Sequence, residues 1–277
     1  MSLPPIPLAG VIGHPIAHSK SPRLYGHWLK RYGINGHYVP MDVASSDLAH
    51  VLGTLPRAGF LGVNVTIPHK EPVLDIADVI SDRAALIGAA NTLTFQSDGK
   101  LHADNTDGVG FIANLKQNAP EWKASDGTAI VLGAGGAARA IVAALLHERV
   151  PQILLANRTR ARADALKAHF GAKVEVVDWN GISARLEEAH TLINTTSLGM
   201  SGKEDLKINL DPLPADALVT DLVYTPLTTS LLAQAHEKGC RVVDGLGMLL
   251  HQAAPGFERW FGQRPEIDEE LRRDMLR

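Results

Sequence analysis

The sequence predicts an α/β protein, and three observations carry that prediction. Short apolar runs of strand character alternate with amphipathic segments of helical length from one end to the other. The intervals between these runs are mostly long enough for the helical crossovers that parallel strands require. One run passes directly into a glycine turn and a helix former, at Thr128-Ala129-Ile130-Val131-Leu132-Gly133-Ala134-Gly135-Gly136-Ala137-Ala138.

In chain order, strands are expected over 8–12, 37–43, 61–65 and 91–95. A helix is expected from Ser21-Pro22, with the serine as N-cap and the proline at the first helical position, and another near Pro68 by the same logic. A second region opens after Asn118-Ala119-Pro120 with a strand over 128–132. Strands over 153–156, 173–177, 191–194, 218–222 and 241–243 follow, enough for a doubly wound parallel sheet. Leu246, Leu249, Leu250 and Ala253 then recur at helical spacing, so the final stretch reads as helices able to return to the first region. Two domains are therefore expected: an N-terminal α/β domain of 1–106 plus 246–277, and a Rossmann-type dinucleotide-binding domain of 107–245.

The totals exclude several functions. With 277 residues, 45% apolar, and a formal charge of −3, the chain can bury a core but offers no basic field for nucleic acid or an anionic membrane. No apolar run reaches the ~18 residues of a membrane span, and Met1-Ser2-Leu3-Pro4-Pro5 lacks a basic region ahead of an apolar core, so a cytoplasmic protein is expected. The single cysteine, Cys240, rules out an internal disulfide, fits a reducing compartment, and is expected to be buried and inert. Asn-x-Thr triplets at Asn64, Asn157 and Asn194 would matter only in a secreted chain. His14 and His18 stand four apart, but Pro15 between them opposes a helical ligand pair, and no metal is expected. No coiled coil is visible, leaving monomer or homodimer open.

In the glycine turn, Gly133 permits the tight bend, Gly135 lets backbone approach a pyrophosphate, and Ala138 takes the close-packing third position. Free amides at the following helix N-terminus suit phosphate charge. About 20 residues further on, NAD enzymes usually carry an acidic residue for the ribose 2′-hydroxyl. Here the segment is Asn157-Arg158-Thr159-Arg160-Ala161-Arg162. Guanidinium groups can stack on adenine and fork onto a 2′-phosphate that a carboxylate would repel, so NADP is the expected cofactor. A purely solvated helix face explains Arg160 as well as phosphate binding does, and the other two less well.

Polar residues crowd in three further places. Gly13-His14-Pro15-Ile16-Ala17-His18-Ser19-Lys20-Ser21-Pro22 sets two hydroxyls at a helix start, a good place for a carboxylate; helix capping would account for Ser21 but not Ser19. Asn64-Val65-Thr66-Ile67-Pro68-His69-Lys70 puts polar groups at a strand end and a lysine in the next helical turn. Asp104-Asn105-Thr106-Asp107-Gly108 follows Ala90-Asn91-Thr92. Singly, each could be turn chemistry.

Taken together and in this order, these segments resemble the shikimate dehydrogenase family over almost the whole chain. The specific motifs are His-Ser-x-Ser-Pro, Asn-Val-Thr-x-Pro-x-Lys, Asn-Thr-Asp-Gly, Gly-Ala-Gly-Gly-Ala, Asn-Arg-Thr, and Asp244-Gly245-Leu246-Gly247-Met248-Leu249 with Gln252. The resemblance implies NADPH-dependent reduction of 3-dehydroshikimate to shikimate, in aromatic amino-acid biosynthesis. It implies that Ser19 and Ser21 hold the substrate carboxylate, that Thr66, Asn91, Asp107 and Gln252 contact ring hydroxyls, and that Tyr224 joins them. Lys70 would transfer the proton, acting with Asp107. Gly133, Ala134, Gly135, Gly136, Ala137, Asn157, Arg158, Thr159 and Arg162 would bind NADP, with Leu222 and Gly245 near the nicotinamide and Asp82 at the cofactor edge. Tyr25 and His14 depart from the family's commoner histidine and asparagine, and neither change touches Lys70 or Asp107.

Hydride addition to a ketone leaves negative charge on oxygen, which a positioned proton donor must meet as it develops. The rival readings are a quinate or aminoshikimate dehydrogenase, differing around one ring substituent, and a non-catalytic NADP-binding regulator. Retention of both Lys70 and Asp107 opposes the regulator.

Overall fold

The computed structural model describes residues 6–277, so the reading made at residues 1–5 lies outside the described residues. In chain order the elements are β1 (Leu8–Gly13), α1 (Ser21–Arg31), β2 (His37–Asp42), α2 (Leu48–Thr54), β3 (Phe60–Val65), β4 (Val79–Ile80), α3 (Asp82–Ile87), β5 (Thr92–Phe95) and β6 (Leu101–Asp104). They continue with α4 (Asp107–Asn118), β7 (Thr128–Leu132), α5 (Gly136–His147), β8 (Ile153–Ala156), α6 (Arg160–Phe170), β9 (Val174–Val177) and β10 (Ala189–Asn194). The last are β11 (Leu218–Asp221), α7 (Ser230–Glu237), β12 (Arg241–Val243), α8 (Leu246–Phe261) and α9 (Glu269–Leu276). Two compact units result: one runs from the first described residue to Asp107 and includes Leu249–Arg277, and the other is Gly108–Met248.

The first unit is built on a six-stranded sheet in the order β2-β1-β3-β5-β6-β4. β1 pairs in parallel with β2 and β3, but β5 runs antiparallel to both β3 and β6. One core cluster joins Ile12, Val63, Val65 and Leu93 of the sheet to Leu48 and Leu52 of α2 and Ala84 of α3. Elsewhere in the unit, Tyr25 stacks on Tyr38 at 3.7 Å between ring centroids, and Trp28 meets Phe257 edge-on at 5.2 Å. These large buried rings of α1, β2 and α8 fasten the C-terminal helices into the unit.

Two local expectations fail here for identifiable reasons. No helix begins at Pro68: residues 68–71 form a turn, followed by a 3-10 helix at Pro72–Asp75. Pro72 lacks the amide that would bond the Pro68 carbonyl, and its ring would clash with that carbonyl in an α-helix. Lys70 therefore sits in a turn, where the Ala90 amide donates to its carbonyl at 2.7 Å. Nor is Ser21 an N-cap: Lys20 holds that position, and Ser21 is already inside α1. The capping-type bond is made by Ser19, whose Oγ accepts the Ser21 amide at 3.3 Å.

The second unit has an entirely parallel sheet, β12-β11-β10-β7-β8-β9. This is the doubly wound order of nucleotide-binding folds. Period-two alternation divides its core: Ala129 and Val131 pack with Ile141 and Leu145 of α5, while Ile130 and Leu132 pack with Leu231 and Leu232 of α7. Phe111, Ile112 and Leu115 of α4 belong to the first of these clusters. The polar turn at Asn118-Ala119-Pro120 is thus the end of a helix of this unit. Cys240 is buried with its Sγ 3.4 Å from the Pro214 carbonyl, and burial pushes the thiol pKa up, which makes it unreactive. Among the described residues, no helix is long and apolar enough to cross a membrane.

Candidate active site

In the first unit, strand ends and the start of α4 bring Lys70, Asn91, Asp107 and Gln252 together. Lys70 Nζ donates to Asp107 Oδ2. Asn91 Nδ2 donates to Asp107 Oδ1 and to Gln252 Oε1, each at 2.8 Å. Asn91 Oδ1 in turn accepts the Thr106 amide at 2.8 Å and the Thr92 hydroxyl at 2.9 Å. The Asp107 amide donates to Asn105 Oδ1 at 3.0 Å, and Asn105 Nδ2 to the Ala89 carbonyl at 2.8 Å. Every side chain of this network is buried except Lys70 and Gln252, which are half-buried. A carboxylate with donors on both oxygens cannot swing away, so it holds Nζ in one direction.

Beside this network, Asn64 Oδ1 accepts the hydroxyls of Tyr38 at 2.8 Å and Tyr25 at 3.0 Å, while its Nδ2 donates to the Asn91 carbonyl at 3.0 Å. Burial raises both phenol pKa values well above the usual range, so both stay protonated donors. The Tyr38 phenol also neighbours the hydroxyl of Ser21, which is buried. Ser19, accepting the Ser21 amide, keeps its hydroxyl proton for another acceptor. Thr66 is half-buried just beyond β3, its amide bonded to the Ile12 carbonyl at 2.9 Å.

Asp104, at the end of β6, is a buried carboxylate shared by two arginines. Its Oδ2 accepts from Arg83 at 2.6 Å and Arg259 at 2.5 Å, and its Oδ1 from Ser81 at 2.8 Å. Burial alone would raise its pKa, but these hydrogen bonds outweigh burial and hold it well below the usual carboxylate range. Asp82, next to Ser81, is exposed in the first turn of α3.

The second unit carries the glycine turn at the C-terminal end of β7. Gly133 has φ of +110°, and a Cβ there would stand 2.5 Å from Thr195 Oγ1, so only glycine fits. Gly135 precedes α5, and a Cβ there would meet nothing within 4 Å. Gly136 and Ala137 begin α5, where first-turn amides have no intrahelical acceptor, and Ala134 is buried beneath the turn. This cradle of open space and free amides fits a pyrophosphate.

After β8, Asn157 Nδ2 donates to the Thr159 carbonyl at 2.8 Å and shapes the turn into α6. Arg160 is paired with Asp178 and Asp164. Arg158 and Arg162 are exposed, with no carboxylate partner among the described residues, so their donors are free for a phosphate. Leu222 and Tyr224 follow β11, both half-buried. Gly245 is buried against the Leu222 carbonyl at a distance that leaves no room for a side chain. Asp221 anchors the same loop: it accepts from Asn194 Nδ2 at 2.9 Å, the Thr229 hydroxyl at 2.7 Å and the Val223 amide at 2.9 Å. Burial raises its pKa despite those bonds.

Sequence reasoning assigned no role to Asn64, Asn105, Thr106, Asp104 or Asp221. The first four lie inside the quoted motifs, and their signal was the density of short polar side chains at the ends of buried strands. Nothing in the sequence pairs Asp104 with Arg83 and Arg259.

Fold and sites define a two-unit α/β oxidoreductase with a dinucleotide-binding unit. Family models match at residues 11–93 (shikimate dehydrogenase substrate binding domain), 114–204 (shikimate / quinate 5-dehydrogenase) and 245–269 (shikimate 5′-dehydrogenase C-terminal domain). The shikimate dehydrogenase (NADP(+)) of Cereibacter sphaeroides is 66% identical over 98% of this chain and 97% of its own. Among solved structures, quinate dehydrogenase from Corynebacterium glutamicum in complex with NAD matches with a TM-score of 0.90 at 30% identity, covering 98% of this chain and 99% of that one. Shikimate 5-dehydrogenase from Thermus thermophilus in complex with NADP(H) and shikimate matches with a TM-score of 0.86 at 37% identity, covering 97% and 100%. The chain belongs to the shikimate dehydrogenase family.

Proposed function

We propose that this chain is an NADP-dependent shikimate dehydrogenase, reversibly reducing the ring ketone of 3-dehydroshikimate to shikimate for aromatic amino-acid biosynthesis. The observation that carries the reading is the Lys70–Asp107 pair, fixed by Asn91 and flanked by Gln252. Support for NADP over NAD comes from unpaired Arg158 and Arg162 where an acidic residue would otherwise stand.

In this reading Ser19 and Ser21 hold the carboxylate, and Thr66, Asn91, Asp107, Gln252 and Tyr224 contact the ring hydroxyls. Gly133, Ala134, Gly135, Gly136, Ala137, Asn157, Arg158, Thr159 and Arg162 hold NADP, with Leu222 and Gly245 beside the nicotinamide and Asp82 at the cofactor edge. NADPH, when bound, would supply the hydride that adds to the carbonyl carbon. The carbonyl electron pair moves onto oxygen, and Lys70 Nζ delivers the proton there while Asp107 keeps it aimed. In the reverse direction Lys70 takes the hydroxyl proton back. The chain acts in the cytoplasm, without nucleic acid or membrane partners, as a monomer or homodimer that gel filtration would distinguish.

The test is to follow nicotinamide absorbance with shikimate and NADP, and to repeat it with NAD, with quinate and with Lys70→Ala. Reduction of NADP by shikimate, lost in the variant, is the expected result. Activity confined to quinate or NAD would move the specificity, and inactivity with every pair would replace the enzyme reading by the NADP-binding regulator.

A further inference from the structure

Lys20 lies between the two serines assigned to the substrate carboxylate, and its side chain points to the other end of the chain. As the N-cap residue of α1 it makes no capping bond, and its charge sits at the helix end where a cation is disfavoured. Its Nζ instead donates to the Met275 carbonyl in the last turn of α9, at 3.0 Å. There it meets an orphan carbonyl and the negative end of a helix dipole, both of which favour a cation.

This contact is one end of a continuous seam. At the opposite end, Arg31 in the last turn of α1 pairs with Asp268, the N-cap of α9, at 2.7 Å, and with Glu266 at 3.1 Å. Between them, Asp274 receives His27 Nδ1 at 2.9 Å and stands 3.6 Å from Arg23. The two helices thus run antiparallel with opposite charges matched at both ends. Leu271 and Met275 of α9 are fully buried, so the helix is a fixed support.

We infer that α9 is a clamp on the carboxylate-binding turn, with Lys20 as the positioning residue that transmits it. The Lys20 backbone joins Ser19 to Ser21, and the Leu24 amide bonds its carbonyl at 3.1 Å, so anchoring the side chain fixes the direction of both flanking hydroxyls. The clamp acts on substrate affinity and leaves the proton-transfer pair untouched. It rests on the reading that Ser19 and Ser21 bind a carboxylate.

The experiment compares shikimate with its neutral methyl ester as substrates of the wild-type chain, Lys20→Met, Lys20→Arg and Asp274→Asn. In Lys20→Met, KM for shikimate should rise about tenfold, with kcat, KM for NADP and KM for the ester each within twofold of wild type. Lys20→Arg, which still reaches the carbonyl, should restore most of the shikimate affinity. Asp274→Asn, which loosens α9 at its contacts with His27 and Arg23 of α1, should raise KM for shikimate about threefold and spare the ester. Equal losses for acid and ester would overturn the clamp, as would unchanged KM in Lys20→Met. An effect in Lys20→Met without one in Asp274→Asn would also overturn it, by showing that Lys20 touches the carboxylate itself. If the wild-type chain does not distinguish acid from ester, the carboxylate reading fails first and takes the clamp with it.

Discussion

In the first unit the candidate site side chains are already bonded to one another, whereas in the second the groups assigned to the cofactor are left open. Asp107, Asn91 and Gln252 form a closed chain of hydrogen bonds on buried strand ends. Gly135 faces empty space, and Arg158 and Arg162 face solvent. The difference follows from what each unit must recognise. A small ring with several hydroxyls is distinguished by donors and acceptors held at fixed positions, which requires a rigid network. A dinucleotide offers a pyrophosphate and a phosphate, which free backbone amides at a helix start and exposed guanidiniums can meet through charge.

The largest test of this contrast is Lys70→Ala. It should lower kcat about 10³-fold, the scale of a lost proton-transfer group, and should also lower the thermal midpoint of the apo protein, because the buried Asp107 carboxylate loses its cation. A stopped assay with shikimate and NADP reads the first, and calorimetry the second. The next is a pair of glycine variants. Gly133→Ala should destabilise the second unit by about 2 kcal/mol, because φ of +110° and the approach of Thr195 both oppose a side chain. Gly135→Ala should leave stability unchanged and raise KM for NADP, because its methyl group would enter only the space reserved for phosphate. Equal thermal losses in both variants would remove the distinction between structural and binding glycines.

A smaller effect is expected from Arg158→Gln with Arg162→Gln: KM for NADP should rise about tenfold while KM for NAD stays level, the scale of one or two exposed charge-assisted hydrogen bonds. The smallest concerns Asp104, whose pKa is lowered on folding. A lowered carboxylate pKa contributes stability that is complete above its unfolded value, near 4, and is lost as pH falls through the folded value. Asp104→Asn should therefore cost about 1 kcal/mol at pH 7, less than a fully buried pair because both arginines are part-exposed and screened by solvent, and the gap should narrow in acid urea titrations.

The same contrast governs how much was legible in the sequence. Buried parallel strands such as Ile153–Ala156 read as plain apolar runs between crossovers, and the doubly wound unit follows from them. β5 is legible as the strand expected over 91–95, but its antiparallel partner β6 (Leu101-His102-Ala103-Asp104) is only 4 residues long, too short for its apolar–polar alternation to stand out from a loop. Pro68 carried a helix-start signal that Pro72, four residues on, cancelled. The cofactor turn is local and could be read residue by residue. The Lys70–Asp107 pair joins residues 37 positions apart, and no local pattern couples them. Only the resemblance to a family placed them in one site. Asp104 with Arg83 and Arg259 had neither local pattern nor resemblance to reveal it.

The division of the chain also sets an order of assembly. Gly108–Met248 is contiguous, so its parallel sheet can close as soon as that stretch has left the ribosome. The first unit cannot close then, because Tyr25, Tyr38 and Trp28 have their aromatic neighbours Phe257, Trp260 and Phe261 in the last segment to be made. During synthesis, Lys70 and Asp107 wait on an unfinished core while the dinucleotide unit is complete. A chain released before Leu249 would carry the cofactor cradle and no Gln252, and its exposed rings would mark it for chaperones.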